Sequence, residues 1–310
     1  MSTRGSGFPL LLLHGFSGSG ESWAELAPPL AEFSKVVVVD LPGHAGAPLP
    51  AHLGEEGFSE VVEALAKSIQ APRMDVAGYS QAARLALALA LKHPQRIRRL
   101  VLESGTAGLD AEALRLQRQN DDEAKAALLE EKGVKAFMEF WEKLPLFETQ
   151  KRLPAEKKHA LQQRRNAHSA FGLAGALRCM GLGVQPNFWP LLGELRLPVL
   201  LISGEEDVKF TAIAQKMLCA LPWAQHEVVP GCGHAVHLES PKQWLKAVSS
   251  FLKASYETDT PEKNIDRFRV EVIVASPAVF MQLHATRTSE PAGVPEARRG
   301  RPKEDAHEDA

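Results

Sequence analysis

The sequence is poor in cysteine: three in 310 residues, Cys179, Cys219 and Cys232, odd in number and far apart. That excludes a disulfide framework and fits a reducing compartment, with the three thiols read as packing residues. Neither sign of charge is in excess, with 36 Lys and Arg against 38 Asp and Glu. This removes any global reason to expect nucleic acid or an anionic membrane as a partner. No apolar run approaches the roughly 20 residues that cross a bilayer; the run at 10–13 is four leucines, and residues 1–8 are short and polar. The protein is therefore expected to be cytoplasmic, with neither signal peptide nor anchor. There is no internal repeat. What is present is 45% hydrophobic and 24% charged sequence, and 310 residues are enough for one large α/β domain carrying an insertion or for two ordinary domains.

Apolar runs at 9–13, 35–39, 74–79, 97–102 and 198–202, with a shorter one at 226–229, read as buried strands. Helical stretches at 22–33, 58–69, 85–91, 212–221 and 241–253 alternate with them. That alternation predicts an α/β fold with a mostly parallel central sheet flanked by helices, its ligand site at the carboxyl edge of the strands. From 109 to 192 the strand signal vanishes and helical stretches take over at 114–129, 134–144, 157–167 and 172–182. The predicted organisation is a first core part at 1–108, a helical cap at 109–192, a second core part at 193–255 and a largely disordered extension at 256–310. The extension is Pro-, Gly- and charge-rich towards its end, with one possible strand at 268–274. Its Arg299-Gly300-Arg301-Pro302 matches the core of a minor-groove AT-hook, but one four-residue match in a mixed-charge tail does not predict DNA binding.

The chemistry gathers around Gly78-Tyr79-Ser80-Gln81-Ala82, a Gly-x-Ser-x-small stretch between an apolar strand and an Ala- and Leu-rich helix. This is the layout of a nucleophile elbow, where a sharp turn lifts a serine oxygen above the sheet. A serine needs an imidazole to accept its proton, and the imidazole needs a carboxylate to fix its tautomer. Asp207, past the turn after a strand, is preferred over Glu205 and Glu206; His234, in a glycine-rich loop, is preferred over His237, which is expected to pack or cap. His44 and His52 read as loop residues. The order Ser80, Asp207, His234 is that of α/β-hydrolases. Backbone N–H groups of Phe16 and Gln81 occupy the two positions from which an oxyanion hole is built. Arg84 lies one helical turn after Ser80, and Arg118, Arg164 and Arg165 lie in the cap. Converging arginines would suit a substrate with several carboxylates, although a solvated helix face is the plainer reading for each cap arginine.

Six blocks make the resemblance narrower: Leu13-His14-Gly15-Phe16, Asp40-Leu41-Pro42-Gly43-His44, Glu103-Ser104-Gly105-Thr106-Ala107-Gly108-Leu109, Gly181-Leu182-Gly183-Val184-Gln185-Pro186, Gly204-Glu205-Glu206-Asp207-Val208-Lys209-Phe210 and Gly233-His234-Ala235-Val236-His237-Leu238-Glu239. Over roughly residues 9–252 the chain resembles the 2-succinyl-6-hydroxy-2,4-cyclohexadiene-1-carboxylate synthases of menaquinone biosynthesis, in the α/β-hydrolase superfamily. The resemblance implies a lyase. Ser80, activated by His234 and Asp207, would remove a proton from a succinyl-bearing cyclohexene, and the anion would expel pyruvate from its enolpyruvyl ether. Phe16 and Gln81 would hold the oxyanion, Arg84, Arg118 and Arg165 the carboxylates, and Tyr79 and Trp141 would line the pocket. No metal or organic cofactor is implied, and the only partner expected is the small carboxylate substrate, for a monomer or small homo-oligomer. A serine esterase or C–C bond hydrolase, and a non-catalytic binding protein on the same fold, are the alternatives. Two departures from the family carry expectations. Ala82 and Ala83 stand where it usually has glycines, adding methyl groups where strand and helix are closest, and the family's N-terminal hairpin is expected to be missing.

Overall fold

The computed structural model describes residues 1–254; the extension, with its strand and AT-hook readings, lies outside the described residues. Among the described residues seven strands form one sheet in the order β1-β3-β2-β4-β5-β6-β7. They are β1 (Ser2–Arg4), β2 (Phe8–Leu13), β3 (Ser34–Val39), β4 (Met74–Tyr79), β5 (Ile97–Glu103), β6 (Val199–Gly204) and β7 (Ala224–Val229). All neighbours pair in parallel except β1 with β3. An antiparallel edge strand is thus present ahead of residue 9. The sequence carries no signal for it, since all three of its residues are exposed and no apolar–polar alternation marks so short a strand.

The continuous apolar runs have a simple cause. Successive strand residues face opposite sides of the sheet, and both sides are covered. Leu11, Leu13, Val37 and Val39 enter one core, and Leu10, Leu12, Val36 and Val38 enter the other. The four leucines of β2 are fully buried, each worth about 1.5–3 kcal/mol relative to exposure. Helices α2 (Gly54–Ser68) and α3 (Gln81–Lys92) pack on the first core, through Val61, Val62 and Leu65 of α2 and Leu85 and Leu89 of α3. The second core is closed by α1 (Ala27–Leu30) and by Trp244, Val248 and Phe251, which lie near the C-terminal end of the described chain.

The helix expected at 22–33 breaks into a 3-10 turn, Gly20–Trp23, and the single turn α1. Pro28 and Pro29 lack the N–H groups that a continuous helix needs. Between β5 and β6 the chain is helical: α4 (Glu112–Trp141), a 3-10 stretch Pro145–Arg152, α5 (Ala155–Asn166) and α6 (Ala170–Met180). Gly133, at φ 80° and ψ 170°, interrupts α4, which is why periodicity read it as two helices. The two arms enclose a small core of their own, with Phe137 and Met138 packed on Leu173 and Leu177 of α6. After β6 come α7 (Val208–Ala220), the single turn α8 (Val236–Glu239) and α9 (Pro241–Lys253). Cys179 and Cys232 are buried as expected, but Cys219 is exposed on α7, a correction to its reading as a packing residue. Among the described residues no helix is long and apolar enough to cross a membrane.

Candidate active site

Strand β4 runs straight into Ser80, which sits at φ 52° and ψ −108°, and α3 begins at the next residue. For a residue with a side chain this backbone costs about 1–3 kcal/mol. It is held by a hydrogen bond from the Ser80 N–H to the Glu103 carbonyl of β5, at 2.8 Å. Strand and helix nearly touch here: a Cβ on Gly78 would lie 2.5 Å from the Ala82 carbonyl oxygen. The two alanines do not open the elbow. Both are fully buried, and the Ala83 methyl fills the space that Gly105 leaves, where a Cβ would come within 2.7 Å of it.

Ser80 Oγ lies 2.9 Å from His234 Nε2, and His234 Nδ1 lies 2.6 Å from Asp207 Oδ2. The carboxylate fixes the ring with its proton on Nδ1, leaving Nε2 as the acceptor that faces the serine. Asp207 caps α7, its other oxygen accepting the Phe210 N–H at 3.2 Å. His234 is 1% exposed and Asp207 7%. The rings of Phe210 and Tyr79, at 4.5 and 5.4 Å from the imidazole, shield the pair from water.

The competing residues are occupied elsewhere. Glu205 accepts the Gly231 N–H, and Glu206 pairs with Arg152 at 2.8 Å. His237 does pack and pair: its Nδ1 meets buried Glu103 at 2.9 Å, and Glu103 also accepts the Trp244 indole N–H at 2.8 Å. His52 is exposed beside Glu60. His44, expected in a loop, is there but completely buried. His52, Glu56 and Glu60 could together ligate a cation from the surface; none of them lines the cavity described next.

That cavity, of about 610 Å³, opens over the triad. Phe16 and Gln81 both line it. Gln81 is the first residue of α3, so its N–H has no carbonyl four residues back, and neither its amide nor that of Phe16 meets a protein acceptor among the described residues. Tyr79, Arg84, Arg118, Trp141 and Arg165 also line the cavity, so every residue expected at the site is brought to it.

The arginines differ in environment. Arg84 is buried and donates to the Gln185 side chain at 3.2 Å and to the Met180 carbonyl at 2.8 Å. Both acceptors are neutral. Burial, then repulsion from Arg118, brings its pKa down to about 9. Arg118 pairs with Asp122 at 2.8 Å. Arg165 is no solvated face: it is 6% exposed and donates to Glu142 and Gln150, each at 3.0 Å. Arg164 lines the cavity too and donates to the Glu21 carbonyl at 3.0 Å. The Trp141 indole N–H is buried without a partner among the described residues.

The 3-10 stretch Pro145–Arg152, unseen in the sequence, supplies Phe147, Thr149 and Gln150 to the cavity wall. It lies against the histidine loop so closely that a Cβ on Gly233 would fall 2.1 Å from Thr149 Oγ1. Its one sequence cue is Pro145, which fits a helical first turn.

Residues 9–241 match the model of the alpha/beta hydrolase fold family. The chain is 37% identical over 246 residues, 78% of its length and 89% of the relative's, to a Bacillus subtilis (strain 168) protein named as a candidate 2-succinyl-6-hydroxy-2,4-cyclohexadiene-1-carboxylate synthase. It is 30% identical over 247 residues to the synthase of that name from Escherichia coli O1:K1 / APEC, covering 79% of this chain and 93% of the relative. Among solved structures, MenH from S. aureus superposes with a TM-score of 0.76 at 33% identity, over 79% of this chain and 93% of that one. A thermophilic esterase from Thermogutta terrifontis, 23% identical with a TM-score of 0.70 over 81% and 91% of the two chains, shares the fold.

Proposed function

The chain belongs to the α/β-hydrolase fold family and, within it, to the 2-succinyl-6-hydroxy-2,4-cyclohexadiene-1-carboxylate synthases, and on that footing we propose that it is a lyase. It eliminates pyruvate from 2-succinyl-5-enolpyruvyl-6-hydroxy-3-cyclohexene-1-carboxylate in menaquinone biosynthesis. The few, unpaired thiols suit a cytoplasmic place for this step.

Ser80 Oγ takes the proton from the carbon beside the succinyl carbonyl while its own proton passes to His234 Nε2, 2.9 Å away. Asp207 steadies the imidazolium that results. The electron pair of the broken C–H bond moves onto the carbonyl oxygen, where the Phe16 and Gln81 amides receive it. Each such donor is worth roughly 3–4 kcal/mol. The pair then returns through the ring and breaks the C–O bond to the enolpyruvyl group. His234 passes its proton to the departing enolate, which becomes pyruvate, while Ser80 keeps the proton taken from the substrate, so the triad is restored.

The observation that carries this reading is Arg84. A buried guanidinium with only neutral partners, beside the triad, calls for an anionic ligand. This substrate brings three carboxylates, for which Arg118 and Arg165 stand at the same cavity. We assign residues 109–192 as the cap over it, with Tyr79 and Trp141 as walls. The test supplies purified protein with the enolpyruvyl substrate and follows pyruvate release beside p-nitrophenyl ester hydrolysis. Pyruvate is expected, with loss of at least about a thousandfold in Ser80→Ala; rapid ester turnover without pyruvate would sink the lyase reading.

A further inference from the structure

The loop that carries Phe16 is gripped from behind by three histidines outside the triad. His14 Nδ1 donates to the Gly15 carbonyl at 2.8 Å, while its Nε2 accepts the Leu41 N–H at 3.0 Å. His44 Nε2 accepts the Ser17 N–H at 3.1 Å, and its Nδ1 donates to the Pro42 carbonyl at 3.0 Å. His168 Nε2 donates to the Ser17 carbonyl at 3.1 Å, and its Nδ1 accepts the Ala45 N–H, also at 3.1 Å. Every ring nitrogen is engaged, and each partner dictates the tautomer, since a carbonyl needs an N–H and an amide needs a bare nitrogen. Three consecutive peptide groups around Phe16 are thereby fixed.

His168 differs from the other two in origin. His14 and His44 come from the core, His14 directly after β2 and His44 in the turn that follows β3, whereas His168 stands between α5 and α6 in the helical insertion. Both residues that it holds are in the left-handed region, Ser17 at φ 60° and Ala45 at φ 47°. Residues with side chains keep such backbones only where their surroundings impose them. Insertion and core are also in backbone contact at this point. A Cβ on Gly43 would lie 2.1 Å from the Gly172 carbonyl oxygen, and one on Gly172 would lie 2.4 Å from that of Gly43. The three rings stack edge to face, His44 at 5.0 Å from His14 and 5.4 Å from His168.

We propose that His168 is a positioning residue through which the helical insertion sets the oxyanion hole: by holding Ser17 and Ala45 it aims the Phe16 amide only while the insertion is seated on the core. This rests on the reading of Phe16 as an oxyanion donor. It makes the insertion a part of the catalytic apparatus as well as a wall of the cavity.

Two measurements on the full chain test it. In protein labelled with 15N-histidine, long-range 1H–15N spectra are expected to show His168 as the Nε2–H tautomer and His14 and His44 as Nδ1–H; an Nδ1–H or doubly protonated His168 at neutral pH overturns the proposal. The second probe is phenylboronic acid, whose tetrahedral adduct on Ser80 places an oxygen in the hole. Its Kd is expected to weaken about tenfold in His168→Ala, less than the loss of a whole oxyanion donor, and to recover in His168→Gln, whose amide can still reach the Ser17 carbonyl. An unchanged Kd in the alanine variant, or no recovery in the glutamine variant, overturns it. Neither measurement needs the enolpyruvyl substrate, so a failure to release pyruvate would sink the lyase reading while these results still decide the role of His168.

Discussion

Arg84 sits where a cation is costly: 7% exposed, facing another arginine, and hydrogen-bonded only to an amide oxygen and a carbonyl. Burial and the Arg118 charge penalise its charged form more than the Asp122 charge favours it, so an apolar side chain of similar volume removes a desolvation cost without breaking a direct ion pair. Arg84→Met is therefore expected to melt at or above the temperature of the parent while kcat/KM for the carboxylate substrate falls by about 10- to 100-fold, the worth of a charge-assisted hydrogen bond. A calorimetric scan beside a pyruvate assay checks both halves, and a lower melting temperature with unchanged kcat/KM would refute the assignment. At this scale much of the site was legible in the sequence. Ser80, Asp207 and His234 each stand just past a strand, and topology alone brings strand ends together. The burial of Arg165 was not legible, because it depends on Glu142 and Gln150 arriving from separate elements.

Among the elements, the end of β5 ties the site together. The Glu103 carbonyl holds the Ser80 N–H, and its carboxylate accepts from the His237 N–H, His237 Nδ1 and Trp244 Nε1. Next to it, Ser104 Oγ donates to the His234 carbonyl at 2.8 Å. One strand end thus anchors the elbow, α8 and α9, although the sequence offered Glu103 only as part of a motif block. Glu103→Ala would strand these buried donors, and stability is expected to fall by about 3–5 kcal/mol, read from urea unfolding; a loss below about 1 kcal/mol would show that water replaces the carboxylate freely. The longer elements were visible because hydrophobic period and burial agree in them. Gly20–Trp23, Pro145–Arg152 and α8 were not, since a turn or two of helix is too short to establish a period and is imposed by tertiary contacts.

For the molecule as a whole, four histidines set an acid limit on stability: His14, His44 and His168, which are buried, and His226, which is half-buried. His14 is lowered to about 4 by burial, His226 likewise to about 4, and His44 and His168 are lowered in the same direction by the same cause. All are neutral in the fold, so between their ordinary value of 6.5 and their folded values the unfolded chain binds more protons. Stability must then rise with pH across that window. It is complete above about 6.5 and lost progressively as pH falls towards about 4. For His14 alone the loss is on the order of 3 kcal/mol, at about 1.4 kcal/mol per unit. Asp75, raised by burial against its Arg98 partner, acts in the opposite sense and offsets part of it. The urea midpoint is therefore expected to be flat from pH 8 to about 6.5 and to decline steeply below, with a shallower acid slope in His226→Gln, by up to about 1.4 kcal/mol per pH unit. A midpoint that held steady down to pH 4.5 would show that these imidazoles open to water or find anionic partners on protonation. The decline lies on the same side of neutrality as loss of the His14, His44 and His168 tautomers, so the oxyanion loop is expected to loosen over the range in which the fold weakens.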